Sequence, residues 1–118
     1  MSVFFHDVNI QNTAKWFEEP KPHVQLEQTL TLYSDLDATI IVEQHIDDVT
    51  MIEGVRHPLS KGINTLRLKP MRIFNPLLVH HDGTPAHYAI SVRIYAAGIE
   101  PVTFTENMTF QSLQKDTL

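Results

Sequence analysis

Cysteine is absent from the 118 residues. That excludes disulfide frameworks, thiolate nucleophiles, Cys-type zinc sites and iron–sulfur clusters together, while leaving the compartment open. Glycine is scarce: the 4 present leave no phosphate-cradling loop, and no Gly-x-Ser-x-Gly elbow occurs. Lys and Arg number 9 against 14 Asp and Glu, a net charge of −5, and the basic residues nowhere gather into a stripe that would neutralise a row of phosphates. Nucleic acid and anionic membrane surfaces are therefore not expected partners. Long apolar runs are also lacking. Nothing approaches the roughly 20 residues of a transmembrane helix. The opening Met1-Ser2-Val3-Phe4-Phe5-His6-Asp7 has neither the basic region nor the apolar run of a signal peptide. On this basis the chain is expected to be cytoplasmic, unless it is a module of a longer secreted or virion protein.

What is present is an ordinary globular composition, 42% apolar and 19% charged, in a chain of single-domain size. Its apolar residues recur with the strand period of two. Val24, Leu26, Leu30 and Leu32 share one face of an extended segment whose other face carries Gln25, Glu27, Thr29, Thr31 and Tyr33. Ser34-Asp35-Leu36-Asp37 supplies a turn, and Ala38–His45, with a β-branched centre, reads as the second arm of a hairpin. Val49–Ile52 forms a short strand ending at Gly54, and His57-Pro58 and Gly62 bracket a turn. Leu66 and Leu68 then face inward until Pro70, and Ile73–Val79 carries a proline that suits an edge or a bulged connection. After the turn at Asp82-Gly83-Thr84-Pro85, Tyr88, Ile90, Val92 and Ile94 alternate with Ala89, Ser91, Arg93 and Tyr95. Beyond Gly98, Val102, Phe104, Met108 and Phe110 alternate with Thr103, Thr105, Asn107 and Thr109.

The start is less regular. Val3–Ile10 reads as a strand and Gln11-Asn12-Thr13 as a turn. Ala14–Glu19 reads as one helical turn stopped by Pro20-Lys21-Pro22. The sum is seven or eight short strands with turn signals between them, an all-β chain forming an antiparallel sandwich, with a small barrel as the alternative. Residues 1–22 are an N-terminal arm or first strand packed on the core, 23–112 the sandwich and 113–118 a tail. The succession of a Leu66–Leu68 strand, a proline-bearing connection and a strand opening at Tyr88 resembles immunoglobulin-like or fibronectin-like sandwiches. That resemblance implies a fold and no particular function.

Histidine is the first place to look for chemistry, with 7 in the chain. His80, His81 and His87 cluster with Asp82 around one expected hairpin, and imidazole with carboxylate suits zinc, nickel or copper. Adjacent strand residues point to opposite faces, however, so at most two of the three would converge, and a solvated hairpin tip is the plainer reading. His45 and Asp47 share a face of an extended chain, without the pocket or oxyanion donor that general-base catalysis needs. Asp47-Asp48 does not continue into a calcium loop. Glu27 and Glu43 would lie on neighbouring arms of the expected hairpin, where like charges stagger toward solvent. Asn107-Met108-Thr109 matches the short N-glycosylation pattern.

Aromatic residues offer the other route. Trp16 and Phe17, with Tyr33 or Tyr95, would make a sugar-stacking platform or a protein contact if exposed on one face. Trp16 and Phe17 serve equally as an anchor for the arm. With no catalytic constellation and no cofactor expected, the chain reads as a non-catalytic interaction module that binds another protein or copies of itself, such as an adaptor, accessory or virion component. Its flanking segments and the weakly charged last strand are the expected contacts. A carbohydrate-binding module is the first alternative and a small metal-binding protein the second.

Overall fold

The computed structural model describes residues 3–110, and every helix or strand among them is a β-strand. In chain order these are β1 (Phe5–Phe17), β2 (His23–Ser34), β3 (Ala38–Ile46), β4 (Val49–Leu59), β5 (Gly62–Arg67), β6 (Met71–Phe74), β7 (Tyr88–Tyr95) and β8 (Val102–Met108). They form two open antiparallel sheets. In sheet A, β2 lies between β1 on one side and, end to end, β5 and β6 on the other; sheet B has the order β4-β3-β7-β8. Each sheet ends in free strands, so the chain is a sandwich and the barrel alternative does not hold. Setting β1-β2-β5 against β4-β3-β7-β8 is also how the corresponding strands divide in immunoglobulin-like sandwiches. The expected tail, 113–118, lies outside the described residues.

Three local expectations are corrected. First, Gln11-Asn12-Thr13 is not a turn and Ala14–Glu19 is not a helical turn: residues 11–17 belong to β1, which pairs with β2 from Phe5↔Ser34 to Phe17↔His23, and Glu18 and Glu19 follow it outside any helix. The long ladder on β2 decides the conformation of a segment whose own propensities are weak. Second, Ser34–Asp37 does not close a hairpin, because β2 and β3 belong to different sheets. Glu27 and Glu43 are therefore not neighbours. Third, β4 continues through Gly54 and His57-Pro58 to Leu59. It is an edge strand, where a proline costs no ladder bond, and its pairing with β3 shifts register near Gln44. A Cβ on Gly54 would sit 2.6 Å from Ile41 Cγ2, so close packing on β3 requires glycine there.

The turn between β3 and β4 is Asp47-Asp48, with φ of 49° and 67°. Two consecutive positive φ values give the hairpin turn whose twist matches that of the strands. Asp47 also reaches β7: its carboxylate accepts from the Ala89 N–H at 2.8 Å. Tyr88 opens β7, and its hydroxyl accepts from the Leu77 N–H at 2.7 Å and donates to the Leu77 carbonyl at 3.2 Å. A tyrosine tied to upstream backbone where the chain enters this strand is a corner device of such sandwiches.

The interior holds two apolar clusters. One contains Phe5, Leu30, Leu32, Ile40, Val42, Leu59, Leu68, Val92 and Ile94. The other contains Val24, Leu26, Ile46, Met71, Ile90 and Phe110. Along β2 and β3 the boundary falls at Gln28 and Gln44, each 2% exposed. Gln44 Nε2 donates across the sandwich to Gln28 Oε1 at 2.9 Å and to the Lys69 carbonyl at 2.8 Å. That carbonyl lies in the break between β5 and β6, where the ladder on β2 is interrupted. A side chain from the opposite sheet thus satisfies backbone that the ladder leaves open.

Candidate functional site

The outer face of sheet B carries a hydrogen-bonded polar row. Alternation along β3 turns Glu43 and His45 outward, away from Val42, Gln44 and Ile46. Glu43 Oε1 accepts from the Tyr95 hydroxyl at 3.0 Å and lies 3.1 Å from His45 Nε2; Thr50 Oγ1 is 3.3 Å from His45 Nδ1. Burial and the Glu43 carboxylate both push the Tyr95 phenol up, so it stays a neutral donor. The Arg93 guanidinium lies 5.4 Å from the Tyr95 ring centre. The carboxylate beside His45 is thus Glu43, while Asp47, in the turn, accepts from the Ala89 N–H. Glu43 and Thr50 each lie within hydrogen-bond distance of one imidazole nitrogen, which ties the ring into the sheet.

Sheet A carries an aromatic row on its outer face. Phe17 (β1), His23 (β2) and Phe74 (β6) are direct cross-strand neighbours. Phe17 stacks on His23 at 5.2 Å and 12°, and Phe74 lies against the other side at 5.0 Å and 38°. His23 Nδ1 donates to the Lys21 carbonyl at 2.8 Å. These spacings match the strand separation, so the rings stand side by side like books and present edges outward. A sugar platform needs exposed ring faces.

The structure does not bring Trp16, Tyr33 and Tyr95 together. Trp16 faces inward, packs on the second apolar cluster and donates from Nε1 to Glu18 at 2.8 Å. It is the anchor of the first strand. Tyr33 faces outward at the other end of β2, roughly 30 Å away at ~3.4 Å per residue, where it packs on His6. Tyr95 lies on the other sheet. Phe17, 39% exposed, joins the aromatic row of sheet A through His23, a partner outside the expected set.

His80, His81 and His87 do not converge either. The loop after β6 makes a small hairpin with Val79 opposite Pro85 and the His80 N–H bonded to the Thr84 carbonyl. In that register His80 faces Thr84, and His87 falls opposite Leu77. Asp82 turns back on Thr84, whose backbone N–H and hydroxyl hold its carboxyl below the usual range. Among the described residues no three His, Cys, Asp or Glu side chains group so as to hold a metal ion.

On one side of the sandwich, among the described residues, β1 and β8 run as free edges of their sheets. Between them a recess of about 180 Å³ opens toward the core, lined among others by Ile10, Asn12, Val92, Phe104 and Glu106. Its polar wall extends the amide pair of the interior: Gln28 Nε2 donates to Asn12 Oδ1 at 2.8 Å, and Asn12 Nδ2 to Glu106 Oε1 at 2.7 Å. A chain of side chains therefore runs from β3 through β2 and β1 to β8. Sequence reasoning passed over this chain. Its signal was available, since Gln28, Gln44 and Glu106 each occupy the apolar phase of an otherwise alternating strand.

The fold defines an antiparallel β-sandwich in which this double edge adjoins a recess. No protein-family model matches the chain, and neither does any curated protein. No helix among the described residues is long and apolar enough to cross a membrane.

Proposed function

We propose that this chain is a non-catalytic interaction module that assembles through its strand edges, with a copy of itself as the partner the geometry favours. The observation that carries this reading is the side-by-side placement of two free strands, β1 and β8, over a recess that reaches core side chains. Unpaired N–H and C=O groups along such an edge are a template for another strand. An incoming strand would also remove from water the apolar walls of the recess formed by Ile10, Val92 and Phe104. The polar row at Glu43, His45 and Tyr95 is satisfied internally, which suits a solvated face better than a reaction centre.

The test is the solution mass by light scattering on a sizing column over a range of protein concentrations. A dimer or larger closed assembly that dissociates on dilution is the expected outcome. A monomer up to millimolar concentration overturns self-assembly.

A further inference from the structure

We infer that two copies join through β1, antiparallel about a two-fold axis at Thr13, so that sheet A continues from one copy into the other. The inference rests on the self-assembly just proposed and specifies its edge and register.

Of the free edges, β1 is the least guarded. β4 carries Gly54, Pro58 and register shifts in its pairing with β3. The β5–β6 edge is interrupted at Leu68–Pro70. β8 spans only Val102–Met108 and bears the Glu106 carboxylate on its inward phase, a recognised obstacle to edge pairing. β1 has one irregularity, the shift between His6 and Asn9 where Asp7 has φ of 54°. From Asn9 to Phe17 its register on β2 is unbroken. That stretch has no proline and one charged side chain, Lys15, and it is longer than the usual strand of about five or six residues.

Self-complementarity fixes the register. A two-fold axis pairs the whole of Asn9–Phe17 only when it passes through the middle residue, Thr13. Gln11 then faces Lys15 and Asn9 faces Phe17 on the outer side, while Asn12 faces Ala14 and Ile10 faces Trp16 on the inner side. No like charges oppose each other. An axis at Lys15 would set the two ammonium groups face to face and shorten the ladder. At the Thr13 register each copy brings its Trp16 beside the other's Ile10, at the mouth of the recess, and closes both recesses by the same symmetric contact.

A chain without cysteine makes the test direct, because each introduced thiol is the only one present. Four single variants are compared: Thr13→Cys, Gln11→Cys, Lys15→Cys and, on the competing edge, Thr105→Cys. Residues directly opposite across a two-stranded ladder approach disulfide range, whereas positions two residues off the axis are about 14 Å from their own copies. Under mild oxidation Thr13→Cys is expected to give a covalent dimer. An equimolar mixture of Gln11→Cys and Lys15→Cys is expected to give at least tenfold more dimer than either variant alone. The mixture also serves as an independent check should Thr13→Cys disturb the fold. Cross-linking through Thr105→Cys, with none at Thr13 or between Gln11 and Lys15, overturns the β1 register and leaves self-assembly standing. Absence of every cross-link, with unmodified protein monomeric by light scattering, overturns both.

Discussion

Gln44 has no spare hydrogen-bonding partner within reach of solvent, so its substitution isolates what the buried amides contribute. Gln44→Leu leaves both the Gln28 side-chain oxygen Oε1 and the Lys69 backbone carbonyl without the donor that Gln44 supplies. Burial of unpaired acceptors predicts a loss on the order of 3 kcal/mol, measured as a lowered urea midpoint at unchanged slope. Gln28→Leu with Gln44→Leu should cost less than the two single changes summed, because each single change already breaks the shared bond. Tyr88→Phe removes only the hydroxyl that ties Leu77 to β7 and is expected to cost about 1 kcal/mol. His6 supplies the pH dependence. Its ring lies 3.0 Å from Asp7 Oδ2 and 3.2 Å from Asp35 Oδ1, and the hydrogen bond to Asp7, aided by Asp35, raises its pKa above the usual 6.5. The folded state therefore holds this proton more tightly than the unfolded chain. The stabilisation is complete below about pH 6.5 and disappears as pH rises through the folded pKa. An NMR titration should place the His6 midpoint above that of an ordinary histidine, and Asp7→Asn should lower it more than Asp35→Asn does.

Among the strands, β4 shows how a neighbour constrains sequence. Gly54→Ala would drive a methyl group against Ile41 Cγ2. A loss of roughly 1–3 kcal/mol is expected from that overpacking, to be recovered in part by Ile41→Ala and read by chemical denaturation of the two variants and their combination. The alternation that identifies β2, β3, β7 and β8 was legible in sequence, because each strand buries one face on the facing sheet and exposes the other. β1 was not legible past Ile10: its inner face is only partly buried and holds Asn12 and Ala14 among the apolar positions, and Gln11-Asn12-Thr13 carries turn-forming residues that only the ladder on β2 overrides. Pairing was not legible either. A short acidic link such as Ser34–Asp37 serves a hairpin within a sheet or an arch between sheets, and the choice lies in partners distant in sequence. The aromatic row has the same origin: Phe17, His23 and Phe74 become neighbours only once β1, β2 and β6 are in register.

At the level of the whole molecule, the sandwich measures 48 × 25 × 22 Å and carries a net charge of −5, so two copies repel at long range. The strand contact inferred for them contains little charge of its own. Their association is therefore expected to strengthen between 10 and 150 mM salt, as the Debye length falls from about 30 Å to about 8 Å, with the weight-average mass at fixed protein concentration as the readout. A contact built on ion pairs would respond in the opposite direction. The amide chain through Gln44, Gln28, Asn12 and Glu106 has a consequence for how such a body yields. Apolar contact has no preferred direction, and two sheets held by it alone can creep past each other under load. Hydrogen bonds near 2.8 Å fail within a fraction of an ångström, so the pinned sandwich should be stiff against sliding and then brittle, giving way at the pin before the sheets themselves come apart.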